Sequence, residues 1–351
     1  MISVGVIDAS GKSRALLKDK EGVRHIFIDP SQSLAVDAAS VDVLFVWGLT
    51  SDFLKENWHR FHRLRWIHSA SAGVDRLLFP ELVDSEVVLT SSRHIFDRAM
   101  AEYAIGLMLA LAKDFKTTIN QQTERVWEPR ETESLFGKTL VVVGVGPIAR
   151  ETARLAKAFG MRLIGVGRTA RNDSDFGAIV ASTDLPAVLP EADYLLLIAP
   201  RTPMTEGLIG RDALALLKPS ARVINVGRGA IIDQAELRRA LIEGRIAGAA
   251  LDVFEKEPLP NDDPIWDIPN LLVSPHMAGD YIGWRQDNAD LFAKNLRRWI
   301  AREPLLNVVD KSLGYVPTRQ GPLEPSSAIT EAETGTATSE ADRRPRSRSP
   351  I

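Results

Sequence analysis

The sequence contains no cysteine. Disulfides, thiolate zinc sites, iron–sulfur clusters and cysteine nucleophiles are therefore excluded together. Nor does it contain an apolar run of roughly 18 residues, the length a membrane-spanning helix needs, so no membrane partner is expected. Basic charge is not in excess either. The 43 Lys and Arg against 46 Asp and Glu leave a net charge of −3, with no surplus of cations to neutralise a nucleic-acid backbone. The opening MISVGVIDAS lacks a basic segment followed by an apolar one, so no secretory signal is expected and the cytoplasm is the default location. Residues 318–351 have no aromatic side chain, four Pro and ten Ser or Thr. Such a composition cannot offset the entropy of ordering, so 317–351 is expected to be a disordered tail. Its closing run, RRPRSRSP at 343–350, reads as solvated charge.

What is present has the rhythm of an α/β protein. A length of 351 residues suggests two domains at ~150 residues each. Short apolar runs at Val4–Ile7, His25–Ile28, Val43–Trp47 and Leu64–His68 predict strands, with helical patterns between several of them. Met100–Lys113 predicts a helix apolar nearly all round, suited to a place between domains or in a dimer interface. The polar stretch Thr117–Ser134 follows. A second run then offers strands at Leu140–Val143, Leu163–Val166, Tyr194–Ile198, Arg222–Val226, Ala247–Val253 and Leu271–Ser274, with helices at Pro147–Phe159 and Gln234–Glu243. Six strands alternating with helices predict a doubly wound parallel sheet. The amphipathic Trp284–Ala301 should return to the first domain.

The first strand of the second run leads into Gly144-Val145-Gly146-Pro147-Ile148-Ala149, a G-x-G-x-x-A turn between strand and helix. Gly144 permits the tight turn, Gly146 lets a pyrophosphate approach the backbone, and Ala149 keeps helix and strand close. Pro147 suits the first helical position, and the free N–H groups there face phosphate oxygens.

Three polar residues lie just past the carboxyl ends of predicted strands, the edge where open α/β sheets bind ligands. Arg228 can hold a carboxylate bidentately. His276 can donate a proton, and a carboxylate such as Glu257 beside it favours the protonated, donating form. Singly, each has an ordinary explanation: a surface cation, a loop acid, a structural histidine. Beside a dinucleotide turn they form the set that hydride transfer to a carbonyl needs. His25, His59, His62, His68 and His94 lack such settings. His59 and His62, three residues apart, have no third ligand and read as surface residues, so no metal is expected.

These segments together resemble the D-isomer-specific 2-hydroxyacid dehydrogenases. The likeness covers roughly residues 40–316. It rests on residues 137–149, the Arg228 segment, AlaLeuAspValPheGluLysGluProLeuPro at 250–260 and SerProHisMetAlaGly at 274–279, in that order. The intervals of 29 and 19 residues between Arg228, Glu257 and His276 also resemble the family.

The resemblance implies two Rossmann-like domains. A substrate domain would comprise 1–100 plus 285–316, and a dinucleotide-binding domain 101–284. It implies a 2-oxo acid anchored by Arg228, with His276 as general acid/base paired with Glu257. It further implies Asp252 at the nicotinamide carboxamide, Pro200 and Thr205 among the cofactor contacts, and the backbone of Ala72, Gly73 and Val74 at the substrate carboxylate. Trp47 suits the substrate or the core equally well. The Met100–Lys113 segment resembles the family's interdomain helix, which implies a homodimer. The reaction implied is reduction of small 2-oxo acids such as glyoxylate or hydroxypyruvate. The alternatives are a cofactor-sensing scaffold or corepressor of the same fold, and a phosphoglycerate dehydrogenase-type enzyme.

Cofactor choice is read from the second strand of that domain. Gly167 stands where NAD enzymes carry an acid for the ribose 2′-OH, and Arg168 follows it. With the repelling carboxylate gone, Arg168, the Thr169 hydroxyl and Arg171 can receive a 2′-phosphate. NADPH is thus expected over NADH.

Overall fold

A computed structural model describes residues 1–18, 21–32, 38–48 and 51–317. The tail expected at 317–351 lies, from Thr318 on, outside the described residues. The first sheet holds five parallel strands: β1 (Ile2–Ile7), β2 (Val23–Ile28), β3 (Val43–Val46), β4 (Trp66–Ser69) and β5 (Val88–Ser91). Their order is β2-β1-β3-β4-β5. Alternate residues serve opposite faces. Val43 and Phe45 join a cluster with Phe292 and Leu296 of the Trp284–Ile300 helix, while Leu44 and Val46 pack with Leu54, Leu77 and Leu82. The last helix thus returns to the first sheet as expected, and Phe292 stacks on Phe45 at 4.2 Å between centroids. Trp47 is buried in that same cluster, which places it in the core.

The second sheet has eight strands: β6 (Thr139–Val143), β7 (Arg162–Gly167), β8 (Arg171–Asp173), β9 (Gly177–Ala181), β10 (Tyr194–Leu197), β11 (Arg222–Asn225), β12 (Gly248–Leu251) and β13 (Leu271–Val273). Their order is β13-β12-β11-β10-β6-β7-β9-β8, with β8 antiparallel to β9 and the others parallel. Three strands go beyond the sequence expectation. Val88–Ser91 is a short half-apolar run, β8 is three polar residues, and β9 is a five-residue Gly-Ala-Ile-Val-Ala run with only Ile179 fully buried.

Both faces of the second sheet are covered. Leu140 and Val142 face the Asp97–Ala112 and Pro147–Ala158 helices through Ala104, Met108, Ala149 and Ala153. Val141 and Val143 face the Gln234–Ile242 helix through Leu237 and Leu241. The polar stretch after Lys113 contains a further helix, Phe115–Glu124, capped by the Asp114 side chain on the Thr117 N–H. The strand order reverses between the parallel neighbours β6 and β10, the kind of switch point at whose carboxyl edge open α/β sheets bind ligands.

Candidate active site

The turn after β6 has the backbone geometry that a phosphate cradle requires. Gly144 has φ +98, and a β-carbon there would stand 2.7 Å from the Ala199 backbone nitrogen. Only glycine satisfies both conditions. Gly146 is the N-cap of the Pro147–Ala158 helix, and a β-carbon there would meet open space. Among the described residues none accepts a hydrogen bond from the N–H of Val145, Gly146 or Ile148. These donors sit at the positive end of a 12-residue helix, a setting that fits a pyrophosphate. Thr205 Oγ1 donates to the Pro200 carbonyl at 2.7 Å, which folds the loop after β10 back on itself.

Beyond β7, Arg168 and Thr169 are exposed, and Arg171 Nη1 donates to the Thr169 carbonyl at 3.2 Å. The Arg168 guanidinium lies over the Tyr315 ring at 5.3 Å. Asp173 and Asp175, the acids of the β8–β9 hairpin, are both taken by Arg150, at 2.7 and 2.8 Å.

The loops after β11, β12 and β13 converge. At the end of β11, the buried Asn225 side chain accepts from Gly227 N–H at 3.0 Å and donates to the Arg228 carbonyl at 2.9 Å, shaping the turn that carries Arg228. A β-carbon on Gly229 would fall 2.0 Å from the Phe254 carbonyl carbon, so the Arg228 loop lies directly against the loop of Glu257. Phe254 N–H in turn donates to Glu257 Oε1 at 2.9 Å. Glu257 Oε2 accepts from His276 Nδ1 at 2.8 Å, which leaves Nε2 as the nitrogen able to exchange a proton with a ligand. Burial opposes the charge on Glu257. The hydrogen bonds from His276 and Phe254, with the charges of His276 and Arg76, outweigh it and hold the carboxyl below its ordinary range.

Asp252 is almost wholly buried. Its Oδ1 accepts from Ser274 Oγ at 2.6 Å and Met277 N–H at 3.0 Å, and its Oδ2 from Ala278 N–H at 2.9 Å. Its carbonyl takes the His276 N–H at 2.8 Å. The residue expected at the nicotinamide therefore also braces the turn that carries His276.

Arg228 is reached from the first sheet. Its Nε donates to Asp75 Oδ1 at 2.9 Å and its Nη1 to the Gly227 carbonyl at 2.8 Å. Its Nη2 lies beside Gly73, in the loop after β4. Among the described residues none accepts a hydrogen bond from Ala72, Gly73 or Val74 N–H. Arg76, next to Asp75, donates to Glu257 Oε2 at 3.0 Å.

Sequence reasoning missed Asp75 and Arg76 as side chains. The sequence points to this loop only through the backbone of Ala72, Gly73 and Val74, and pairs 153 and 181 residues apart leave no local signal. His59 and His62 are exposed, as expected. His68 is fully buried among Phe45, Trp66 and Phe292, its Nδ1 2.7 Å from Thr90 Oγ1, and burial lowers its pKa to about 3.

A doubly wound sheet with a glycine-rich first turn and a polar trio at its carboxyl edge defines a dinucleotide-dependent oxidoreductase. Residues 105–278 match the family described as D-isomer specific 2-hydroxyacid dehydrogenase, NAD binding domain. A glyoxylate reductase of Thermococcus gammatolerans is 32% identical over 276 residues, covering 76% of this chain and 82% of that protein. A D-3-phosphoglycerate dehydrogenase of Methanocaldococcus jannaschii is 30% identical over 273 residues, 77% of this chain, but the match spans only 52% of its own length. Among solved structures, the NADPH-dependent glyoxylate/hydroxypyruvate reductase of Sinorhizobium meliloti, in complex with NADP and sulfate, superimposes with a TM-score of 0.77. It is 26% identical, and the match covers 90% of this chain and all of that one. The chain belongs to the D-isomer specific 2-hydroxyacid dehydrogenase family.

Proposed function

We propose that this protein reduces small 2-oxo acids, glyoxylate and hydroxypyruvate among them, to D-2-hydroxy acids with NADPH. The observation that carries this reading is the meeting of Arg228, the Glu257–His276 pair and the free N–H groups of residues 72–74 at one place. With its pyrophosphate held by the Gly144–Ile148 turn, NADPH would supply the hydride for the substrate's carbonyl carbon. Arg228 and the N–H groups of Ala72, Gly73 and Val74 hold the carboxylate, which fixes the carbonyl in front of the imidazole. His276 Nε2 gives its proton to the carbonyl oxygen as negative charge develops there, and Glu257 steadies the imidazolium beforehand. Asp252 receives the nicotinamide carboxamide with the one Oδ2 lone pair its brace leaves open, and Pro200 and Thr205 are further cofactor contacts.

Domain division follows the same reading. Residues 1–100 with 285–316 carry the substrate, 101–284 the cofactor, and closure of the two excludes water. NADPH is preferred because Gly167 offers no carboxylate while Arg168, Thr169 and Arg171 are exposed beside it. The NADPH dependence of the Sinorhizobium reductase supports this choice.

A homodimer is proposed too, since the segment following the Asp97–Ala112 helix leaves Ile119, Trp127 and Phe136 exposed, Trp127 by 96%. The cytoplasm is the proposed location. NADPH oxidation with a panel of 2-oxo acids tests the activity. If NADPH binds but no acid is turned over, the chain is a cofactor-binding scaffold instead.

A further inference from the structure

Two adjacent residues after β4 reach the two loops that carry the proposed chemistry, with opposite charges. Asp75 takes Arg228 Nε, and Arg76 takes Glu257 Oε2 at 3.0 Å. That oxygen is the one already holding His276 Nδ1 at 2.8 Å. Glu257 is 8% exposed and Arg76 39%, so a half-exposed cation reaches in to a carboxylate that a backbone N–H and an imidazole already satisfy. Neither loop needs the contact to close. Leu77 N–H bonds the Val74 carbonyl on one side, and Phe254 N–H bonds Glu257 on the other.

We infer that Arg76 is a positioning residue of the proton-transfer site: it latches the substrate loop onto Glu257 and sets how firmly that carboxylate holds the proton on His276. This inference rests on the reading of His276 and Glu257 as the proton-donating pair.

The physics has one direction. A carboxylate facing only an imidazole favours the imidazolium strongly. A guanidinium on the same oxygen draws off part of that field and repels the imidazolium as well. The proton is then released more readily to a substrate oxygen. The same loop presents the N–H groups of residues 72–74, so the acid is tuned only when that loop lies against the catalytic loops. The other charged groups around His276 leave this sign unchanged. Arg228 is paired with Asp75. The Asp252 carboxylate is turned to Ser274, Met277 and Ala278, which donate three hydrogen bonds to it. Burial pushes the Asp280 carboxyl up, while Arg285 and His276 draw it back.

The test compares the full-length parent with Arg76→Ala, Arg76→Lys and His276→Ala, using the best 2-oxo acid of the panel. In Arg76→Ala the alkaline limb of kcat/KM for reduction should move up by roughly half a pH unit or more, and in Arg76→Lys it should return toward the parent. The His276 imidazole resonance, identified by its loss in His276→Ala, should titrate higher in Arg76→Ala protein free of cofactor. An equal loss at every pH, with limb and resonance unmoved, overturns the latch and leaves the proton-donating pair standing. Parental turnover in His276→Ala overturns the pair itself, and the latch with it.

Discussion

The Arg228 guanidinium occupies the space a side chain on Gly73 would need: a β-carbon there would stand 1.9 Å from Nη2. The glycine is required by this approach of a distant cation, since its own φ is not in the left-handed region. Gly73→Ala should therefore displace Arg228 while leaving the cofactor turn intact. Losing a charged hydrogen bond of ~1.5–3 kcal/mol predicts a fall in kcat/KM of about 10- to 150-fold, with NADPH affinity unchanged. Steady-state kinetics with fluorescence titration of NADPH separates the two. A matching loss of NADPH affinity would contradict the assignment.

Glu257 and His276 should respond to substitution with different signatures. His276→Ala removes the proposed proton donor, so kcat should drop by roughly 10²–10⁴. Glu257→Gln removes the charge that favours imidazolium, and reduction requires that form. Its activity should vanish at a lower pH than in the parent, shifting the optimum downward, the reverse of Arg76→Ala. A pH–rate profile unchanged in Glu257→Gln removes Glu257 from its role.

Arg168, which lies over the Tyr315 ring, has no acidic partner among the described residues. Arg168→Ala should weaken NADPH by ~1.5–3 kcal/mol and leave NADH nearly untouched. Comparing kcat/KM for the two cofactors in parent and variant decides it. A parental preference for NADH refutes the NADPH assignment.

His68 makes stability depend on acidity. Its folded-state pKa, about 3, lies below the ordinary value of 6.5. The unfolded chain therefore binds the proton first. Stability from this group is full above pH 6.5 and falls as pH drops toward 3, by about 1.4 kcal/mol per pH unit. Denaturant titrations across that window should show the slope, and His68→Gln should flatten it even if the variant is less stable at neutrality.

Much of this architecture is legible in the sequence because parallel strands covered on both faces must be continuously apolar. Leu140–Val143 and Tyr194–Leu197 announce themselves in that way. The β8–β9 hairpin escapes notice because both strands are short, β8 is wholly polar, and Arg150 holds its acids from a neighbouring helix. Arg228, Glu257 and His276 are legible because each follows a recognisable strand. What joins them is not. Asp75 and Arg76 act on partners more than 150 residues away, and Asp252 reads as a ligand contact while its hydrogen bonds serve the turn that bears His276.

His276 sits on left-handed backbone, at φ +53. For a residue with a β-carbon this costs about 1–2 kcal/mol, which glycine would recover less the ~0.5–1 kcal/mol of its greater chain entropy. The chain therefore carries an imidazole where the polypeptide itself prefers a bare α-carbon. His276→Gly should lose turnover as His276→Ala does. The backbone strain it relieves is set against the Glu257 hydrogen bond it gives up, so conformational ease and proton transfer pull in opposite directions at a single position.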